Sequence, residues 1–390
     1  MSLLEHSAQT RTFIDRYFPQ TTIDQWNDWK WQIRHQIKTA AELSRFITLT
    51  ENEKTALARA DKFSFAINPY TVSLLENDPA GAIRRTLVAV EEEWMNTEGE
   101  SEDPLGEDPH RPVKAIVHRY PDRVLFLATG FCAVYCRYCT RSRLVGDAAQ
   151  YKSEMKAWQD GFDYIRKNPE IRDVLITGGD PLTLSDEKLD FILKEIRSIP
   201  HVEFIRIGTK VPFALPQRIT PELCAVLKKY HPLYLSVHVI HPREVTTESR
   251  QACERLADAG LPLGSQTVLL KGINDNVEVL KKLMHELLKV RVKPYYLFHC
   301  DPVAGSGHLR TSVQKGLEMI EGLRGHTTGY AVPHYALDMA GSGGKAALVP
   351  ESVVGEEQRA TQDGHGSQRF LKIRNFRGET HLYPDGFDEL

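Results

Sequence analysis

Apolar runs recur through the middle of the chain at a nearly constant interval. Strand-like segments begin near Val124, Val174, Phe204, Leu233, Leu263 and Val292. After a longer first unit the interval is about 30 residues, the length of one strand-plus-helix unit in a parallel sheet. Between them, 185–197, 220–229, 245–259 and 276–290 carry apolar residues at helical spacing. Six such units predict an α/β fold, a partial (βα)6 barrel. A closed eight-stranded barrel wants two more units, and an open doubly wound sheet is the competing geometry. In each case the C-terminal ends of the strands form the active face.

The flanks follow other patterns. Residues 1–95 read as a helical N-terminal region. There Ile23, Trp26, Trp29 and Ile33 share one broad helical face, and Trp31 falls off it. Thr50-Glu51-Asn52-Glu53 has the pattern of a capping box, and Asn68-Pro69-Tyr70 breaks the run that follows. Residues 96–112 form an acidic linker, and 113–325 hold the barrel. Residues 326–390 form a short C-terminal extension, in which the alternation of 369–376 fits a strand capping the fold.

Composition narrows the function classes. The chain has 390 residues, 41% apolar and 26% charged, with a net charge of −3 and a pI near 6.6. That balance makes no electrostatic case for nucleic acid. No apolar run approaches the roughly 18 residues that span a bilayer, so no membrane partner is expected. The start lacks a basic stretch followed by an apolar core, which makes the cytoplasm the expected compartment. Six cysteines, three of them clustered, do not form a disulfide framework; Cys224, Cys253 and Cys300 are scattered.

The clustered three are Cys132, Cys136 and Cys139, in a C-x3-C-x2-C loop just past the first strand. Structural zinc sites normally close with four ligands. Three thiolates without a fourth fit a [4Fe–4S] cluster with one open iron, and buried apolar packing is the plainer alternative. Upstream, Arg119, Tyr120 and Arg123 form a plausible phosphate clamp, or a surface ion pair. The later strand ends bring Gly178-Gly179-Asp180-Pro181, His238, Gln266 and Asp301. Paired glycines let backbone approach a ligand closely, although this sequence is also a good turn. A lone histidine such as His238 is more often a hydrogen-bonded core residue than a catalyst. Past the sixth unit, Gly341-Ser342-Gly343-Gly344-Lys345 suits a lysine held as a Schiff base beside a phosphate nest; taken alone it also reads as a flexible loop with a solvated lysine.

The cysteine loop resembles the cluster-binding loop of the radical S-adenosylmethionine superfamily, and Tyr138 matches the aromatic residue that commonly precedes the third cysteine. Taken together the motifs are similar to the lysine 2,3-aminomutase family, from Trp26-Asn27-Asp28-Trp29-Lys30-Trp31 to Arg374-Asn375-Phe376. Other matches are Asp103-Pro104-Leu105, His118-Arg119-Tyr120-Pro121-Asp122-Arg123, Pro216-Gln217-Arg218-Ile219-Thr220-Pro221 and Glu321-Gly322-Leu323-Arg324-Gly325-His326. The resemblance implies the partial barrel of radical S-adenosylmethionine type and an isomerase that converts L-lysine to β-lysine. It implies three cofactors: a [4Fe–4S] cluster on Cys132, Cys136 and Cys139, S-adenosylmethionine, and pyridoxal 5′-phosphate bound covalently at Lys345. Arg119, Tyr120 and Arg123 would help hold the pyridoxal phosphate. Tyr138, Gly178, Gly179, Asp180, His238 and Gln266 would line the S-adenosylmethionine and cofactor region. Arg141 would pair with the substrate carboxylate, and Asp301 and Asp338 with its side-chain ammonium. Expected partners are the amino acid substrate, a reductant such as flavodoxin or ferredoxin, and further copies of the chain. Arginine is the alternative substrate, because a guanidinium also seeks carboxylates.

Overall fold

The computed structural model describes residues 4–59, 65–95, 97–146, 154–339, 343–360 and 367–385. Its centre is one sheet whose strands are β1 Ile116–Tyr120, β2 Arg123–Thr129, β3 Asp173–Gly178, β4 Phe204–Thr209, β5 Leu233–His238, β6 Leu263–Leu269, β7 Val292–His299, β8 His334–Met339 and β9 Gly344–Ala347. They are hydrogen-bonded in sequence order. β2 to β8 run parallel, and β1 and β9 are antiparallel edges. The six periodic strands are therefore β2 to β7. One parallel strand more than the sequence pattern indicated, β8, extends the barrel, and β9, which carries Lys345, pairs antiparallel with it. Ala340, Gly341 and Ser342 of the glycine-rich loop lie outside the described residues.

The crossover helices show why the pattern was readable. Helix Val277–Lys289 starts at Asn276, whose side chain accepts from the Glu278 and Val279 amides, and Lys289 sits in its last turn. Leu280, Leu283, Met284 and Leu287, at i, i+3, i+4 and i+7, are buried against the sheet. Truncating any of these leucines to Ala should cost about 2–5 kcal/mol through lost burial and a residual cavity. The same logic builds the helices Asp186–Arg197, Pro221–Lys228 and Thr247–Asp258, each capped by Ser or Thr.

β1 and β9 face each other across the barrel's open seam. The two described edges share no backbone ladder, and side chains bridge them instead. The Lys345 amide donates to the Tyr120 hydroxyl at 2.9 Å, and Arg119 Nη1 lies 3.9 Å from Asp338 Oδ1. Side-chain closure of this kind concentrates charge where the last strands meet the first.

The N-terminal region is a set of short helices with its own apolar core, which includes Trp26, Trp31, Leu43, Ile67 and Tyr70. The tryptophan face expected from one continuous helix is corrected here. Asp28 ends Ile23–Asn27 and caps Trp29–Arg34, so the helical phase restarts. Trp31 is consequently buried and Ile23 exposed, while Trp29 packs against the barrel core with the Arg218 guanidinium over its ring at 4.7 Å. Glu53, besides closing its capping box, forms a buried ion pair with Arg84 at 2.5 Å. The C-terminal extension holds a separate antiparallel sheet, β10 Val353–Ala360, β11 Ser367–Arg374 and β12 Thr380–Asp385. Just past β11, Phe376 packs edge-on against His326.

Candidate active site

A cavity of about 650 Å³ runs from the C-terminal ends of the parallel strands into the barrel, its lining reaching Arg123 and Asp173 at the first positions of β2 and β3. Every residue named as a candidate from the sequence lines it: the three cysteines, Arg119, Tyr120, Arg123, Tyr138, Arg141, Gly178, Gly179, Asp180, His238, Gln266, Asp301, Asp338 and Lys345. The barrel thus gathers groups more than 200 positions apart in the chain.

The cysteine loop leaves β2 and is fixed mainly through its backbone. Gln36 Nε2 donates to the carbonyls of Cys132 and Ala133 at 3.1 and 3.0 Å. The Tyr135 and Arg137 amides donate to the carbonyls of Ala66 and Thr86 at 3.1 and 2.9 Å. From the other side, the Gly179 and Asp180 amides donate to the carbonyls of Thr129 and Phe131 at 2.5 and 2.8 Å. A Cβ on Gly179 would lie 2.4 Å from the Phe131 oxygen, and one on Gly178 (φ +120°) 2.4 Å from that of Thr129. The close approach these glycines allow is thus to the cysteine loop itself. Asp180 is likewise spent on the protein: its carboxylate accepts from Thr209 Oγ1 at 2.7 Å and from the Lys210 and Leu182 amides at 2.7 and 3.1 Å. It fixes the turn after β4 beneath the cavity.

Burial raises all three thiols above their ordinary range, Cys136 to about 11, with the nearby Lys210 charge opposing. Thiols in that state are poor nucleophiles, and a bound metal is what would ionise them. Among the described residues, no three His, Cys, Asp or Glu side chains converge as they would on a single ion. Three thiols lining one cavity fit a cluster, in which each thiolate takes a different iron.

Beside the loop, Tyr138 and His238 lie nearly parallel with ring centroids 5.6 Å apart, and the Tyr138 hydroxyl meets His238 Nε2 at 3.1 Å. Burial, with the Lys210 charge adding, lowers His238 to about 3, so its imidazole is neutral. Lys210 forms a buried pair with Glu244. Neither residue stood out in the sequence, because a lysine and a glutamate 34 positions apart carry no periodic signal.

The other part of the cavity is charged. Tyr120 and Arg123 pair across the β1–β2 turn, and the Arg123 guanidinium lies 3.9 Å from the Tyr120 ring centroid. Arg206, fixed by Asp173 at 2.8 Å, lines the same cavity. Arg119, Arg123 and Arg206 with the Tyr120 hydroxyl form a donor set that suits a phosphate ester. Asp338 and Lys345 are direct partners in the β8–β9 register, and Lys345 Nζ lies 2.6 Å from Asp338 Oδ2. A lysine on a strand beside these arginines fits covalently held pyridoxal phosphate.

Asp301 follows β7 and faces Asp338. Burial, then the Asp338 charge, raises its carboxyl to about 7 against the pull of Lys345, Arg119 and Arg141. Arg141 is held through Nε and Nη2 by both oxygens of Glu107, at 2.9 and 2.6 Å. Glu107 is almost fully buried, although it belongs to the stretch that reads in sequence as a linker. Only tertiary contact reveals its place.

Known proteins resemble this chain over most of its length. The Radical SAM superfamily model matches residues 126–284, and the Lysine-2,3-aminomutase model matches 320–386. The chain is 46% identical to an L-lysine 2,3-aminomutase of Acetoanaerobium sticklandii over 95% of its own length and 87% of the relative's. It is 50% identical to one of Methanococcus maripaludis, over 94% and 83%. A glutamate 2,3-aminomutase of Clostridioides difficile is 46% identical over 85% of this chain and 79% of that protein.

Proposed function

This chain belongs to the lysine 2,3-aminomutase family of the radical S-adenosylmethionine superfamily, and we propose that it converts L-lysine to β-lysine by moving the amino group from C2 to C3. The observation that carries the choice of lysine is the Asp301–Asp338 pair. The Lys345 ammonium, chemically the same group as the end of a lysine side chain, already rests against Asp338 at 2.6 Å and within the field of Asp301. Once Lys345 turns to the cofactor, the two carboxylates are left to the substrate's own ammonium. A glutamate side chain there would be repelled by about 4 kcal/mol per charge pair at roughly 4 Å.

When bound, the cofactors supply a hydrogen-abstracting radical from S-adenosylmethionine reduced at the cluster, and a carbonyl carbon on pyridoxal phosphate that carries the migrating nitrogen. The chain's residues position the rest. Cys132, Cys136 and Cys139 would hold the cluster, while Tyr138, neutral His238 and Gln266 would wall the S-adenosylmethionine side. Gly178, Gly179 and Asp180 act there by fixing the cysteine loop and the turn after β4. Arg119, Tyr120 and Arg123 would take the phosphate end, and Lys345, held here by Asp338, would be the residue that carries the cofactor covalently. Arg141 receives the substrate carboxylate. Held at both ends, the substrate offers one carbon to the radical, and the buried walls keep stray hydrogen donors away. A one-electron donor of the flavodoxin or ferredoxin kind and assembly into a homo-oligomer belong to the same proposal.

Anaerobic enzyme offered lysine, arginine and glutamate should turn over lysine best. Asp301→Asn and Asp338→Asn should each lower kcat/KM for lysine by ~100-fold or more with iron content unchanged. Near-normal lysine turnover in both variants, or a preference for arginine or glutamate, would sink the lysine reading.

A further inference from the structure

The two groups proposed to read the ends of the substrate, Arg141 and Asp301, lie far apart in the chain, yet one short segment holds Arg141 directly and the loop that follows Asp301. Toward its end, Glu107 holds Arg141 through two hydrogen bonds. Toward its start, it pairs with the loop that follows Asp301. The Ser101 amide donates to the Pro302 carbonyl at 2.9 Å, the Ala304 amide to the Ser101 carbonyl at 3.0 Å, and the Gly305 amide to the Glu100 carboxylate at 3.0 Å. Between these grips the segment is closed on itself. Asp103 accepts from the amides of Glu107 and Asp108 at 2.9 and 2.8 Å and pairs with Arg143 at 3.0 Å.

From this arrangement we propose that residues 100–108 are the spacer that sets the distance between the carboxylate end and the ammonium end of the substrate site. Glu107 and Glu100 are its positioning residues, and the property they control is substrate length. The inference rests on the roles proposed above for Arg141 and Asp301. A substrate anchored at both ends is measured by the gap between its anchors, and one methylene of mismatch is worth roughly 10–200-fold in discrimination. An arginine side chain is long and flexible, and Glu107 removes that freedom. With that bidentate hold weakened, the guanidinium gains room to follow a shorter substrate.

The test compares lysine with ornithine, one methylene shorter, on the fully loaded enzyme. Glu107→Gln and Glu100→Ala act at opposite ends of the spacer, so a folding failure in one leaves the other informative. Each should lower kcat/KM for lysine about tenfold, mainly through KM, and lower the lysine-over-ornithine ratio by about fivefold or more. Iron content and the borohydride-trapped cofactor on Lys345 should stay at parent levels. Equal losses on both substrates in both variants would overturn the spacer. Asp301→Asn separates the two claims: if it spares lysine turnover, the reading of the ammonium site fails first. If it abolishes turnover while the ratio stays fixed in the spacer variants, only the spacer fails.

Discussion

The cysteine loop and the β8–β9 pair line one cavity but are held by different forces. The cysteine loop is tied largely through its own backbone: Gln36 holds the Cys132 and Ala133 carbonyls, the Tyr135 and Arg137 amides reach Ala66 and Thr86, and glycines let strand β3 touch the loop, with the buried Arg137–Glu93 ion pair added. Around Lys345 the neighbours are charges bridging a seam that no ladder closes: Asp338, Arg119 and, through its field, Asp301. Backbone hydrogen bonds among buried groups fix position whatever the pH. Charged contacts instead let one group leave and another take its place. A cluster that must stay put suits the first arrangement, and a lysine that must exchange partners suits the second.

The sharpest way to separate the two regions is to delete a group in each. Cys136→Ala should abolish cluster binding, read as iron per chain, and with it any cleavage of S-adenosylmethionine. Full turnover in that variant would discard the cluster assignment. Lys345→Ala should leave the iron in place and lose the borohydride-stable pyridoxal adduct along with all isomerisation; a label found on another lysine moves the site.

A subtler break is Gly179→Ala. Its new Cβ meets the Phe131 carbonyl 2.4 Å away, and forced overpacking of this kind costs about 1–3 kcal/mol. The expected result is poorer cluster loading with normal attachment of pyridoxal phosphate at Lys345. Loss of both in equal measure would show that the regions are not independent.

The smallest effect is in pH. Asp301 is raised to about 7, so between the ordinary carboxyl range and that value the folded, ligand-free protein holds a proton that the unfolded chain does not. Its contribution to stability is full at acid pH and is lost as pH rises toward neutrality. Urea unfolding between about pH 4 and 7 should show the parent losing stability relative to Asp301→Asn as pH rises, and parallel curves would discard this assignment. The raised thiols stay protonated throughout that window, while His238, lowered to about 3, adds stability as pH rises through the ordinary histidine range and opposes the Asp301 decline equally in parent and variant.

Much of this molecule is local and therefore legible in one dimension. The spacing of Cys132, Cys136 and Cys139 needs only a tight loop to bring three thiols to one cavity. The repeat from Val124 to Val292 needs only that each strand bury one face under the helices and each helix bury one apolar stripe on the strands. β8 escaped the pattern because its unit lacks the interval of the others, starting at His334, 42 residues after Val292 opens β7, rather than about 30. Trp31 escaped because Asp28 resets the helical phase. What only the tertiary structure decided is which charges meet. Lys345 and Tyr120 stand 225 positions apart and touch because the barrel's last strand returns to its first. Asp301 faces Asp338 only because β8 lies beside β7, and Arg141 finds Glu107 only because the acidic segment folds back over the strand ends. Periodicity reports what each residue does to its own element; a Coulomb interaction depends on distance in space, which the closing of the sheet sets.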